Sequence, residues 1–239
     1  ALGIIGGDSE AILEVLHSIT PEQVEEARLF AGTQVRVERK DTPKKLYIEV
    51  ILETEEDMSA VIIEDSHTNI TRIIHGLTCI YEKGSCEELP ADESDKSALT
   101  VDNIYDFIQN VDTDRLSFLD ECIKMNWAVA QEGLKGRYGL HVGRSIYEDM
   151  GEGTAGDDIR NYAIAVTAAA ADARMAGCAM SVMTVCGSGN QGLTATLPVI
   201  AAVYKRKGSP EMLYRSLALS CLITIHVKSY IGKLSPLCG

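Results

Sequence analysis

Aromatic residues are scarce in this 239-residue chain: they form 5% of it, with one Trp and three Phe. Strand-rich sandwiches and barrels draw on large side chains, so the shortage favours closely packed helices. Basic charge is in deficit too. A formal net charge of −13 offers no phosphate-neutralising face and excludes nucleic acid as an expected partner. The basic cluster Lys205-Arg206-Lys207 follows an apolar run and precedes Gly208, where it complements the C-terminal end of a helix dipole. The seven cysteines contain no CxxC pair and no zinc-finger spacing, so a reducing compartment, the cytoplasm, is expected. Cys122, Cys178 and Cys221 lie in helical apolar context and read as small core residues. The opening Ala1-Leu2-Gly3-Ile4-Ile5-Gly6-Gly7 lacks the basic flank and the length of a secretory signal. It starts without Met, and the chain stops on Pro236-Leu237-Cys238-Gly239 with no polar tail. Both ends read as cuts through a longer polypeptide.

The most telling absence is local. From Met175 to Tyr204 no side chain carries a charge, and the centre of this stretch is Cys186-Gly187-Ser188-Gly189-Asn190-Gln191-Gly192. Burying such a segment places polar groups inside, each costing about 1–3 kcal/mol if unpaired; a bound polar ligand is one candidate to satisfy them. The stretch does not read as a membrane span. Gly187, Gly189, Gly192 and Pro198 divide it into pieces shorter than the ~20 residues a span needs, and no second span accompanies it. A buried helix–loop–helix is the expectation, within a globular protein of 46% hydrophobic content.

The length suits one large or two ordinary domains. Asp8 or Ser9 opens a short helix through Leu16. Thr20-Pro21-Glu22-Gln23 is a capping box with Pro at the first helical position, and Gly32 is expected to end that helix. The period then changes to two. Val35 and Val37 alternate with charged residues, as do Leu46, Ile48, Val50 and Leu52, and further strands are expected near Ser59–Glu64 and Ile70–Tyr81. A helix plus about four antiparallel strands makes a small α+β unit. Ser85 to Ser97 is acidic and contains Pro, as a solvated linker does. Beyond it the pattern is helical: Thr100 caps a helix over 101–109; Leu116, Leu119, Ile123 and Trp127 trace an apolar stripe ending by Gly133 or Gly136; and 140–147 forms another short helix. Gly151-Glu152-Gly153-Thr154 is a loop, Asp157 or Asp158 opens a long central helix, and Ser209-Pro210 starts the last helix, which runs to about Tyr230. The fold class is α+β: a mainly helical domain carrying an inserted small α+β domain. The domains are 1–18, the end of an N-terminal part of the helical domain; 19–84, the insert; 85–98, the linker; and 99–239, the helical domain, cut at its C-terminus.

The glycine-rich loop precedes a helix expected to start near Gly192 and follows one expected to end near Cys186. Free backbone N–H groups there suit a carboxylate or phosphate, and Ser188, Asn190 and Gln191 add directional donors. The competing reading is a kink whose glycines merely allow close packing. A Ser-Gly-Asn-x-Gly loop also holds the substrate carboxylate in pyridoxal-phosphate enzymes. Those need a Schiff-base lysine a few tens of residues upstream, and here no Lys lies between Lys135 and Lys205. Two readings stand for the last helix: His226 and Lys228 orient or polarise a substrate, or they are a buried histidine and a C-terminal helix charge. Ser66-His67-Thr68-Asn69 reads as turn chemistry; Asp172 and Arg174, on an otherwise apolar helix, either bind substrate or form a structural ion pair, and the ion pair is the expectation. Cys238 follows Ser235-Pro236 just beyond a helix end, a setting in which iron–sulfur ligands occur, but one cysteine cannot hold a cluster.

The runs TVCGSGNQG, LTATLPV and ITIHVKSYIGKLSPLCG, with ALGIIGG and the SHTN turn, resemble the iron–sulfur L-serine dehydratase alpha-chain superfamily, in particular its L-cysteine desulfidase branch. The resemblance extends over the chain and is strongest from Thr184 to Gly239. It implies a [4Fe–4S] cluster whose open iron is a Lewis acid, and α,β-elimination of L-cysteine to hydrogen sulfide, pyruvate and ammonia. Cys238 matches the region of the first cluster ligand; the remaining ligand cysteines would lie beyond Gly239 and a catalytic cysteine before Ala1. Gly187, Ser188, Gly189, Asn190 and Gln191 would bind the amino acid, with His226 and Lys228 as catalytic candidates. The expected partners are that small molecule and, in oligomers, a second copy; neither nucleic acid nor membrane is expected. The piece alone would be inactive. L-serine as substrate, a carboxylate-binding protein without a cluster, and a transport component are the alternatives.

Overall fold

The computed structural model describes residues 1–44, 46–65, 69–83 and 98–231. Most of the expected linker and Cys238 lie outside these. The chain divides into two compact units, Ala1–Ala91 and Asp92–Gly239.

In the first unit α1 (Leu2–Ile5) is followed by a 3-10 turn, Ser9–Glu14, capped by Asp8. Helix α2 (Pro21–Gln34) starts at the expected capping box: Thr20 Oγ1 accepts from Gln23 N–H at 3.3 Å, and Gln23 Oε1 accepts from Thr20 N–H at 2.9 Å. Gly32 does not end this helix, which continues to Gln34. The sheet is a meander in the order β1 (Tyr47–Glu53), β2 (Met58–Glu64), β3 (Ile70–His75) and β4 (Thr78–Glu82), all antiparallel. The strand expected at Val35–Val37 is absent, and Val37 is 90% exposed. The run expected as one strand over 70–81 is a hairpin instead. His75 pairs with Thr78, so Gly76-Leu77 is a two-residue turn, and Gly76 supplies the positive φ of 57° that its first central position requires.

The second unit is helical: α3 (Val101–Asn110), a 3-10 turn at Thr113–Leu116, α4 (Leu119–Lys135), α5 (Val142–Glu152), α6 (Ile159–Met175), α7 (Gly189–Lys205) and α8 (Pro210–Ile231). Helix α6 is the hub, packed by α4, α5 and α7. Its run of alanines permits contact of backbone with backbone: a Cβ added at Gly133 of α4 would lie 2.0 Å from Ala169 O, and one at Gly143 of α5 would lie 2.0 Å from Ala169 N. Gly133 is therefore a packing residue inside α4, not its end; the cap is Gly136. Helix α5 likewise runs through Gly151 and ends at Gly153, whose φ is 78°. Leu193, Leu197 and Ile200 of α7 and Leu217 of α8 complete the core. Together these give the expected α+β class, with a helical unit and a small antiparallel sheet. Among the described residues no helix is long and apolar enough to cross a membrane.

Candidate functional site

The uncharged stretch divides at Ser188 into halves of opposite structure. The helix expected before the loop is absent: α6 stops at Met175, Gly177 turns with φ 83°, and residues 176–188 run without regular structure. Nor is that half buried throughout, since Ala176, Gly177, Ala179, Met180 and Ser181 are exposed. Asn126 of α4 provides what helical partners would have given. Its Oδ1 accepts from Met183 N–H at 2.8 Å and its Nδ2 donates to Met183 O at 3.1 Å. A carboxamide copies a peptide group, so this one side chain serves both backbone groups of Met183 as a neighbouring strand would. Asn126 Nδ2 also donates to Thr196 Oγ1 at 2.9 Å, and Thr196 in turn donates to Gly192 O at 2.8 Å. Asn126 and Thr196 are wholly buried. The strap is thereby drawn onto the start of α7, where a Cβ at Gly192 would lie 2.3 Å from Met183 O.

Helix α7 begins at Gly189, three residues before the expected start, because Ser188 is its cap: Oγ accepts from Gln191 N–H at 3.2 Å. Gln191 Oε1 accepts from Cys186 N–H at 3.0 Å. The Thr184 hydroxyl lies 3.0 Å from both Gly187 O and Ser188 O and donates to them. From the last turn of α6, Arg174 donates through a guanidinium N–H to Asn190 Oδ1 at 3.2 Å. The same guanidinium lies over Gly189, where a Cβ would come within 2.4 Å of Arg174 Nε. Gly187 holds φ 148°. The loop's buried polar groups thus find partners inside the protein, and among the described residues no buried side-chain N or O lacks one. Of the candidates for satisfying these groups, the protein's own atoms are the ones found, so burial alone does not call for a ligand. Close packing accounts for Gly189 and Gly192.

Helices α7 and α8 are joined by four residues, 206–209, and so run antiparallel. Ser220 Oγ donates to Ala195 O at 2.6 Å across them. Equal rise along both helices from that bond brings His226 level with Gly189, and Lys228 to the height of the loop. His226 is half-buried with its ring edge-on to Tyr230 at 5.2 Å. Lys228 is 4% exposed. Gly187, Ser188, Gly189, Asn190 and Gln191 are therefore contiguous, with the two α8 candidates at the same end of the hairpin. The pairing expected of Asp172 with Arg174 is not made: Asp172 Oδ2 accepts from Gly143 N–H at 3.1 Å, at the start of α5.

Burial pushes the Cys122 thiol up and the Cys221 thiol up to about 12, so both are held as neutral core groups. The Cys178 thiol nearby and the hydrogen bond to Glu132 hold the Tyr138 phenol above its ordinary range. Of the SHTN turn, residues 66–68 lie outside the described residues; Asn69 Nδ2 donates to Glu64 O at 2.9 Å, as turn chemistry expects. Among the described residues no three His, Cys, Asp or Glu side chains gather as a metal site. A [4Fe–4S] cluster therefore finds no ligand set within them.

The residues that sequence reading missed are Asn126, Thr184 and Thr196, and Arg174 as the partner of Asn190. Asn126 left a signal, a polar residue three positions from Ile123 on an apolar stripe; the others left none.

A family model of the serine dehydratase alpha chain matches residues 10–239. The chain belongs to that family. It is 42% identical to a UPF0597 protein of Clostridium perfringens, covering 100% of this chain and 56% of the relative. A Fusobacterium nucleatum UPF0597 protein is 40% identical, with 100% and 57% covered, and one from Dichelobacter nodosus is 39% identical, with 100% and 56% covered. The chain thus spans little more than half the length of these relatives. No solved structure matches it.

Proposed function

We propose that the chain is the central part of a cytoplasmic amino-acid lyase that α,β-eliminates L-cysteine, with L-serine as the second reading within the same family. The supporting observation is which hydrogen-bonding atoms the loop leaves over. Its internal bonds occupy acceptors: Asn190 Oδ1 accepts a hydrogen bond from Arg174, Gln191 Oε1 from Cys186 N–H, and Ser188 Oγ from Gln191 N–H. What remains is donors. Asn190 Nδ2 and Gln191 Nε2 have no acceptor among the described residues, and a helix cannot satisfy its own first-turn N–H groups at Gly189 and Asn190. Helix α7 has no acidic residue in its first turn. A carboxylate is acceptor-only and is favoured at a helix N-terminus, so the carboxylate of an amino acid complements this set, with Gly187 and Ser188 at its edge.

His226 is the candidate for taking the Cα proton, since imidazole is the side chain most often used as a general base. Lys228 would stabilise the negative charge spreading onto the carboxylate as that proton leaves. Loss of the Cα proton and breakage of the Cβ–S bond yield hydrogen sulfide and aminoacrylate; water then converts aminoacrylate to pyruvate and ammonia. The iron–sulfur cluster that the family resemblance implies would depend on Cys238 and on cysteines from outside this chain.

The test is an assay of the full-length protein, purified and reconstituted without oxygen, for sulfide and pyruvate. Equimolar sulfide and pyruvate from L-cysteine is the expected result. Pyruvate from L-serine alone moves the assignment to serine. Iron-loaded protein that releases pyruvate from neither amino acid overturns the lyase reading.

A further inference from the structure

We propose that Arg174 is the residue that binds the substrate carboxylate and makes the site selective for free amino acids over their amides and esters. The inference rests on the reading of the loop as an amino-acid site and deepens it. Arg174 sits in the last turn of α6, where a basic residue is favoured by that helix's own dipole. Its guanidinium does not stay there. It crosses to the start of α7, lies over Gly189 and donates to Asn190 Oδ1 at 3.2 Å. The positive end of the α7 dipole is thus faced by a full positive charge, and no acidic side chain stands in the first turn between them. Among the described residues Arg174 makes no ion pair, and the carboxylate nearest in sequence, Asp172, is engaged with Gly143 N–H.

Two like-signed groups brought together without a counter-charge repel until an anion arrives. A second observation points to the same ligand. Gln191 is 8% exposed as a residue and its Oε1 is engaged by Cys186 N–H; its Nε2 has no acceptor among the described residues and is not itself fully buried, so it is open to a ligand. The Arg174 bond fixes the Asn190 amide as well: with Oδ1 engaged, the group's other arm is a donor. Guanidinium, two amide nitrogens and first-turn N–H groups make a donor-only set, and the planar fork of Arg matches a carboxylate with two parallel hydrogen bonds. A carboxamide or ester presents one carbonyl, no charge and, in the amide, a donor facing donors.

The experiment uses the full-length reconstituted protein and its Arg174→Met and Arg174→Lys variants. It measures turnover of L-cysteine and L-serine against L-cysteinamide and L-serinamide, with direct binding of radiolabelled L-cysteine and L-serine in parallel. Far-ultraviolet circular dichroism checks that each variant is folded. Charged hydrogen bonds of this kind correspond to about a 10- to 100-fold change in affinity. The expected result is a rise of that order in KM for the free amino acids in Arg174→Met, collapse of the preference for acid over amide, and partial recovery in Arg174→Lys. A folded Arg174→Met protein that keeps its KM and its preference for the acid overturns the proposal while leaving the lyase reading intact. Binding that depends on Arg174 without any turnover leaves the proposal standing and removes the lyase reading. Absence of binding to the unaltered protein overturns both.

Discussion

The two units of the chain are held together by different kinds of interaction. In the first, the identifiable devices are local: a capping box spanning Thr20 to Gln23, a two-residue turn at Gly76-Leu77, and a cross-strand ion pair of Arg72 with Glu82 at 2.6 Å. The sheet hides little: β4 is exposed along its whole length and β1 over all but its first residue. In the helical unit the decisive interactions join residues far apart in sequence. Asn126 binds Met183 and Thr196, Arg174 binds Asn190, and Gly133 and Gly143 meet at Ala169 from two helices. The same residue type changes meaning between the units. A methyl added at Gly32 would have nothing within 4 Å, whereas at Gly192 the space is already filled by the backbone of Met183 and Thr184.

The sharpest challenge to this contrast is Asn126→Ala. It strips partners from Met183 N–H, Met183 O and Thr196 together, all in or beside the buried core. Each orphaned buried group costs about 1–3 kcal/mol, so a loss of about 4 kcal/mol is expected. Urea unfolding followed by fluorescence of the single tryptophan, Trp127, which lies one residue along α4 and packs edge-on to Tyr204 at 4.8 Å, measures it. A loss below about 1 kcal/mol, the size of a helix-cap effect, would erase the difference between the units. It would also mean that the strap 176–188 is not held by α4.

The contrast also explains what the sequence made legible. The caps at Thr20, Thr100 and Asp158 and the start of the last helix at Pro210 are written in neighbouring residues, and their positions were readable from them, whereas the turn at Gly76-Leu77 was not. The strand at Val35–Val37 was not: alternation was present, but no partner strand pairs with it. The helix expected up to Cys186 failed for a complementary reason. Its residues are compatible with a helix, but Gly177 turns the chain and Asn126, fifty-seven positions from Met183, supplies the backbone partners of an extended segment. At the candidate site, GSGNQG was visible as a motif, but Ser188 reads in the sequence as a ligand donor and the helix is expected to start near Gly192, so its cap was not. That Arg174 faces Asn190 could not be read either, because only the path of the strap brings the end of α6 to the start of α7. The same path separates Arg174 from Asp172, whose closeness in sequence suggested an ion pair.

Next in size is Gly192→Ala. The added methyl would stand 2.3 Å from Met183 O and 2.6 Å from Thr184 Cα. Both obstacles are backbone of the strap that Asn126 holds, so relief requires the strap to move off α7. Overpacking of this kind costs about 1–3 kcal/mol, and the upper end is expected because no flexible side chain can yield. Carboxylate binding should fall with it, since Thr184 braces Gly187 and Ser188 from the strap. The same denaturation experiment reads the stability, and equilibrium dialysis of labelled L-serine with the full-length variant reads the binding. Full stability with intact binding would show that strap and helix are not in register.

The smallest effect has the opposite sign. Gly32→Ala places the same methyl in open space, in the last turn and a half of α2, at a residue whose φ is not in the left-handed region. Glycine within a helix is less favourable than alanine by about 0.5–1 kcal/mol, and nothing nearby resists the substitution, so a gain of that order is expected in the first unit. It would appear as slower amide exchange over the last turns of α2, with Trp127 unfolding unchanged because that probe belongs to the other unit. One substitution, made at two glycines of two helices, should therefore stabilise one unit locally and destabilise the other through its tertiary contacts. If Gly32→Ala instead costs stability, α2 has a neighbour against that face, and the first unit is not held by local devices alone.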